Sequence, residues 1–309
     1  MRILVLGAGG IGGYYGARIQ NAGGDVTFLV RQARAEQLRN SGLKVSSPFG
    51  DLQITPKVLT KESLQEHFDV IIVSCKAYDL DSAIESIAPA VGENSVVLPL
   101  LNGVAHIDTL VSRFGSSRVL GGVAMISVTL GGDGEIQHLN KIHRLITGSR
   151  SAPVSPWLEP LAELLGRSGF DFTLSTGIEQ AMWGKFVFLT TLAGVTCLFR
   201  ASIGTILETV AGETFINGLL AECAKIAEAN GHGLAEAQLS GFHGQLTEKG
   251  AGLMASMLRD IEKGGATEAD HILGDMVSRA QAKGVEAPLL RLAYSHLQAY
   301  DLRRKAAKG

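Results

Sequence analysis

The sequence predicts two domains of different class: an α/β domain on a parallel sheet over residues 1–175, then an all-α domain over 176–309. Three observations carry this expectation. In the first half, short β-branched runs alternate with helix-like stretches, the pattern of a parallel sheet covered by helices. Past Gly177 nearly every segment reads as helix, broken at Gly231-His232-Gly233, Gly264-Gly265 and Gly284. A chain of 309 residues is also long enough for two cores of ordinary size.

Taken in order, the strand candidates are 2–7, 25–30, 69–75 and 95–101, with helices predicted over 11–21, 32–41 and 80–87. Residues 42–60 interrupt that rhythm and read as a hairpin turning near Pro48-Phe49-Gly50-Asp51. The stretch 118–148 alternates as antiparallel strands do, around the Gly-rich turn 131–134. A helix is predicted over 151–169, then the strand "DFTLST". The apolar run 186–199 is bracketed by Lys185 and Arg200; it is too short to span a bilayer and reads as a buried core helix.

Composition removes several function classes. With a formal charge of −2 and a pI near 6.5, no basic field exists to hold nucleic acid or anionic lipid. The basic tail from Asp301 onward reads as a frayed, solvated end. Cys75, Cys197 and Cys223 lie far apart, without metal-ligand spacing, and fit reduced thiols of a cytoplasmic protein. The start "MRILVLGAGG" has no signal-peptide features. The expected partners are a small-molecule substrate and, as the one assembly left open, a homodimer; no nucleic acid, membrane or metal is expected.

Chemistry enters at Gly7-Ala8-Gly9-Gly10-Ile11-Gly12, a GxGxxG that follows a strand and opens a helix. Gly7 permits the tight turn, Gly9 lets a pyrophosphate approach the backbone, and Gly12 lets helix and strand pack closely. The helix N-terminus then offers free N–H groups and a partial positive charge to phosphates. That context makes the first domain a Rossmann-type, dinucleotide-binding one. Its second strand ends at Arg31, with Arg34 one turn on and no acid before Glu36. A carboxylate there would bond a ribose 2′-hydroxyl, whereas a guanidinium pairs with a 2′-phosphate. NADP, as NADPH, is the favoured cofactor.

Lys185 heads the apolar helix just past the boundary, where a two-domain cleft would form. A desolvated ammonium in such a place can donate a proton to a carbonyl oxygen as hydride reaches its carbon. Asn102-Gly103 follows the strand 95–101, at the carboxyl edge where open α/β sheets bind ligands. Glu268 follows Gly264-Gly265 in "GGATEAD", where Thr267 and Asp270 resemble a capping box, so it also reads as a first-turn acid. Ser256 reads as a mid-helix serine satisfied by a backbone carbonyl. His138 and His143 read as structural.

Over essentially its whole length the chain resembles the ketopantoate reductase (2-dehydropantoate 2-reductase) family. The matching pieces are "GAGGIG", "VSCKAYDL" at 73–80, "PLLNGV" at 99–104, "MWGKF" at 182–186 and "SMLRDIEKGGATEADHI" at 256–272. The resemblance implies a Rossmann-type domain joined to a helical one, NADPH as hydride donor and a 2-oxo acid substrate. It implies that Lys185 is the catalytic lysine and Lys76 a cofactor-proximal one. Asn102 would touch both nicotinamide and substrate, and Ser256 would bind substrate. Glu268 would keep cofactor, substrate and lysine in register.

The chain departs from that pattern at one place. Where the family has asparagines four and eight residues after the lysine, this chain has Leu189 and Ala193. Both are expected to border the substrate pocket and to favour a less polar 2-oxo acid. Ketopantoate reductase proper and such a paralogue therefore both stay open. So do a hydroxy-acid or polyol-phosphate dehydrogenase of the same plan and a non-catalytic NADPH sensor.

Overall fold

The structure is a computed structural model and describes residues 1–307. It opens with β1 (Arg2–Leu6), α1 (Gly10–Asn21), β2 (Asp25–Leu29) and α2 (Gln32–Ser41). Three short strands follow, β3 (Leu43–Ser46), β4 (Leu52–Ile54) and β5 (Lys57–Leu59), then β6 (Phe68–Val73), α3 (Leu80–Ile87) and β7 (Val91–Pro99). β1, β2, β5, β6 and β7 form one sheet in the order β5-β2-β1-β6-β7, parallel throughout. β1 reads Arg-Ile-Leu-Val-Leu, with its central three residues fully buried, as a strand covered on both faces must be.

After α4 (Ala105–Phe114) come β8 (Gly121–Leu130), β9 (Ile136–Gly148), α5 (Leu158–Gly166) and β10 (Asp171–Leu174). A second sheet runs β10-β9-β3-β4, with β8 antiparallel to β9 around the turn at 131–134. Tyr14 and Tyr15 of α1 anchor the core beneath it: Tyr14 Oη lies 2.8 Å from His143 Nδ1, and Tyr15 donates to the Arg144 carbonyl. His138 and His143 are both buried, with Phe49 stacked on the His143 ring at 3.6 Å.

Two expectations need correction here. The hairpin covers only β3 and β4; β5 leaves it and pairs in parallel with β2. Pro56 stands between β4 and β5 and has no N–H to continue an antiparallel ladder. The helix expected over 151–169 is confined to Leu158–Gly166. Pro153 and Pro156 hold the preceding residues out of the α region.

The remainder is helical: α6 (Ile178–Phe199), α7 (Ile203–Leu207), α8 (Gly212–Ala229), α9 (Glu236–Leu246) and α10 (Ser256–Glu262), then α11 (Asp275–Ala282) and α12 (Pro288–Ala306). A π-helical turn, Asp270–Gly274, leads directly into α11. α6 is longer than the run 186–199 suggests. Its 22 residues are long and apolar enough to cross a membrane by length and composition, yet 72% of its most apolar window is buried inside the protein.

By internal contacts the chain forms two compact units. One holds Met1–Leu101 and His106–Ala181; the other holds Asn102–Ala105 and Met182–Gly309. α6 begins in the first and continues into the second. The short turn after β7, Asn102–Ala105, belongs to the helical unit.

Candidate active site

In the α/β unit the candidate groups are mostly backbone. Gly7 adopts φ +88°, a value that L side chains disfavour, and its N–H donates to the Leu29 carbonyl at 2.9 Å, fixing the turn against the end of β2. A Cβ on Gly7 or Gly9 would touch nothing, so this side of the loop is open to a ligand. Gly12 is the opposite case: a Cβ there would strike Ser74 Oγ and come within 2.6 Å of the Gly7 carbonyl oxygen. Ala8 and Gly10 complete the loop, and Ile11 turns inward against the core. α1 starts with no side-chain cap and no acid in its first turn, leaving its N–H groups for an anion.

The two arginines beyond β2 have separate fates. Arg31 stands at the N-cap of α2 with its side chain 86% exposed and in a 3.8 Å ion pair with Asp79. Arg34 is committed to the fold. Its Nη2 donates to the carbonyls of Ala8 and Gly134, each at 2.9 Å, and its Nη1 to Gln37 Oε1. Burial pulls its guanidinium below the ordinary range. Gln37 in turn donates to the Asp133 carbonyl, so the glycine loop and the 131–134 turn are tied together. Lys76 is half-buried and caps the short helical turn Ala77–Asp79. A glycine loop open to a ligand and an uncapped helix start fit a dinucleotide's phosphates.

The helical unit contributes side chains. Lys185, on the second turn of α6, is half-buried; burial pushes its ammonium down from 10.5 to about 8, and Glu268 opposes that fall. Glu268 is itself only 7% exposed. The capping box is absent. Thr267 Oγ1 instead donates to Asp301 and accepts from the Ala269 N–H, while Asp270 accepts from Tyr294 Oη at 2.8 Å. Glu268 is thus held between two ties to α12, one on each side of it.

Three further placements were not legible in the sequence. Ser256 is not mid-helix but the first residue of α10, and it is exposed. The stretch before it stays non-helical because the Ala251 and Leu253 carbonyls accept from the N–H groups of Gly204 and Ile203. Leu189 keeps partial exposure, but Ala193 is fully buried, so only Leu189 presents surface one turn beyond Lys185. Thr191 donates to the Val187 carbonyl, which leaves it no spare proton for a ligand.

His271 is the third. Its ring lies against the Asn102-Gly103 turn and donates to the Asn102 carbonyl; burial lowers its pKa, while Glu268 and Asp275 resist. The available signal was its spacing, three residues after Glu268 on one helical face.

The fold and these groups define an oxidoreductase of two units, one built for a nicotinamide dinucleotide. Residues 3–151 match the family described as ketopantoate reductase PanE/ApbA, and residues 177–301 match its C-terminal part. The chain belongs to the ketopantoate reductase family. It is 36% identical over 301 residues to a Bacillus subtilis (strain 168) protein named uncharacterized oxidoreductase YkpB, covering 97% of this chain and 99% of that one. A 2-dehydropantoate 2-reductase of Halobacterium salinarum is 26% identical, covering 94% and 96%.

Among solved structures, the 2-dehydropantoate 2-reductase of Geobacter metallireducens GS-15 is similar with a TM-score of 0.88 and 28% identity, covering 97% and 99%. A D-mandelate dehydrogenase solved with NADH and anilino(oxo)acetate has a TM-score of 0.89 at 20% identity, covering 99% and 100%, and shows the shared fold.

Proposed function

We propose that the protein reduces a 2-oxo acid to the 2-hydroxy acid with NADPH. The observation that carries this reading is Lys185: an ammonium half-buried in the helical unit, with a pKa near 8 and a buried carboxylate, Glu268, acting on it. NADPH, when bound, would supply the hydride for the carbonyl carbon. Lys185 supplies the proton, its N–H donating to the carbonyl oxygen as the C=O π bond becomes a C–O–H group. Glu268 opposes the effect of burial and so favours the charged, acid form of the lysine. The Gly7–Gly12 loop and the start of α1 would hold the pyrophosphate, Arg31 would pair with the 2′-phosphate, and Lys76 and Asn102 would serve the nicotinamide end. Asn102 and Ser256 also contact the substrate.

Arg31 supports NADPH over NADH because it is exposed and weakly paired, whereas Arg34 is already committed. The fold alone leaves that choice open, since a dehydrogenase of the same fold is solved with NADH. Leu189 favours a second form of the reading, a 2-oxo acid with an apolar tail. Leucine beside the lysine offers a substrate hydroxyl no hydrogen bond, and leaving one unpaired costs about 1–3 kcal/mol. Cys75, Cys197 and Cys223 are not joined in disulfides, which supports a reducing, cytoplasmic setting.

The test is a panel of 2-oxo acids, ketopantoate among them, followed by NADPH absorbance and repeated with NADH. NADPH-dependent turnover of at least one member is expected, with apolar tails preferred. NADPH binding without turnover of any member would sink the reading. A specificity constant for ketopantoate above every apolar acid would remove the Leu189 argument alone.

A further inference from the structure

We infer that His271 is a positioning residue: its imidazole holds the Asn102-Gly103 turn to the segment that carries Glu268, so that one rigid post sets both groups. The inference rests on the proposed function, in which Asn102 contacts nicotinamide and substrate and Glu268 acts on Lys185.

The geometry begins at Gly103. Its φ of +78° is a left-handed turn, and an added Cβ would lie 3.2 Å from both the Cδ2 and the carbonyl oxygen of His271, and 3.4 Å from its Nε2. The ring therefore packs closely on residue 103, and a side chain there would press it aside by a few tenths of an ångström. An imidazole N–H also donates to the Asn102 carbonyl, which fixes the peptide from which the Asn102 side chain departs. Packing and hydrogen bond act on the same turn.

The other end of the post is equally constrained. The Ile272 N–H donates to the Glu268 carbonyl at 3.0 Å, so Glu268 and His271 share one turn of backbone. That turn is pinned to α12 through Thr267 to Asp301 and Tyr294 to Asp270. The π-helical geometry from Asp270 adds a residue to the turn at the very place where the histidine projects, a local device common at functional sites. Burial disfavours the imidazolium. A neutral imidazole still has one N–H, enough for the Asn102 carbonyl.

Two variants separate positioning from packing. His271→Phe keeps a ring against Gly103 and removes the donor; His271→Gln restores an N–H at similar reach. Hydrogen–deuterium exchange of the peptide spanning 102–105 reads the anchor without turnover. Steady-state kinetics on the best 2-oxo acid, melting temperature and NADPH titration complete the set.

In His271→Phe we expect faster exchange at 102–105 and kcat down by about tenfold to a hundredfold, the scale of a misplaced reacting group. The KM for NADPH and the melting temperature should stay close to wild type, and His271→Gln should recover most of both losses. Unchanged exchange in His271→Phe overturns the anchor, whether or not the wild type turns over any substrate. Faster exchange with an unchanged kcat overturns the positioning role. An equal loss in both variants with a lowered melting temperature also overturns it, leaving a packing residue. A wild type inactive on the whole panel would instead defeat the proposed function, with the exchange result still deciding the anchor.

Discussion

The α/β unit offers a ligand backbone: the open Gly7 and Gly9 peptides and the uncapped first turn of α1. The helical unit offers side chains, and burial shifts the titration of two of them: Lys185 is lowered to about 8 and His271 is lowered as well. Backbone N–H groups have no titration in the working range, so the first kind of site changes little with pH. The second kind is adjustable, because each desolvated charge is tuned by its neighbours. Under the proposed function, cofactor capture and proton delivery fall to parts with different sensitivities, and variants in one should leave the other standing.

Lys185→Ala breaks the comparison most sharply. Turnover should fall by roughly 10²–10⁴-fold, the usual worth of general-acid assistance. A fluorescence titration should show NADPH bound as before. Loss of NADPH binding as well would mean that the two functions are not separable.

Arg31→Asp is the complementary change. A charge-assisted hydrogen bond is worth about 1.5–3 kcal/mol, so the preference for NADPH over NADH should drop tenfold or more. The KM for NADPH should rise while that for NADH barely moves. Equal use of both cofactors by the wild type would make Arg31 a surface residue and nothing more.

Leu189→Asn sharpens the substrate side. It should improve kcat/KM for ketopantoate relative to apolar 2-oxo acids by about tenfold, through one regained hydrogen bond. Ala193 is no partner for this change. It is fully buried, and a Cβ on the adjacent Gly194 would already lie 2.7 Å from Leu219 Cδ2. An asparagine at 193 would overpack that core, at a cost of about 1–3 kcal/mol.

The smallest effect is in pH. With Lys185 as the proposed acid, kcat/KM should decline as pH rises through about 8. Glu268 holds that value up; Glu268→Gln should therefore move the limb to lower pH, whereas a purely capping Glu268 would leave it in place. Stability runs the other way. Below about 8 the lysine is charged in both folded and unfolded chains; between about 8 and 10.5 the unfolded chain binds more protons. Stability should thus rise with pH across that window, and a urea titration of wild type against Lys185→Met would show it.

What the sequence disclosed follows the same division. Helices 32–41 and 80–87 match to the residue, and the parallel strands match within a few, because hydrophobic period and turn residues are local signals. Local signals failed where prolines interrupted a plausible run, at Pro56 and at Pro153 and Pro156. The glycine loop was readable since its chemistry lies in consecutive residues. Ser256 was misplaced because the loop before α10 is held open by bonds to α7, some 50 residues earlier in the chain. His271 escaped notice for a similar reason: its partner, Asn102, lies in a turn that follows a strand of the other unit. The capping-box reading of Thr267 and Asp270 failed to α12, whose Asp301 and Tyr294 took both side chains.

Arg34 bears on how tightly a nucleotide can be held. By fastening the Ala8 carbonyl to the 131–134 turn, it orders the phosphate loop during folding rather than at the moment of capture. A loop already in place has little conformational entropy left to surrender to a ligand, so more of each new contact appears as affinity. Association then involves little rearrangement, and discrimination between the two nicotinamide dinucleotides should appear mainly in how long each stays bound.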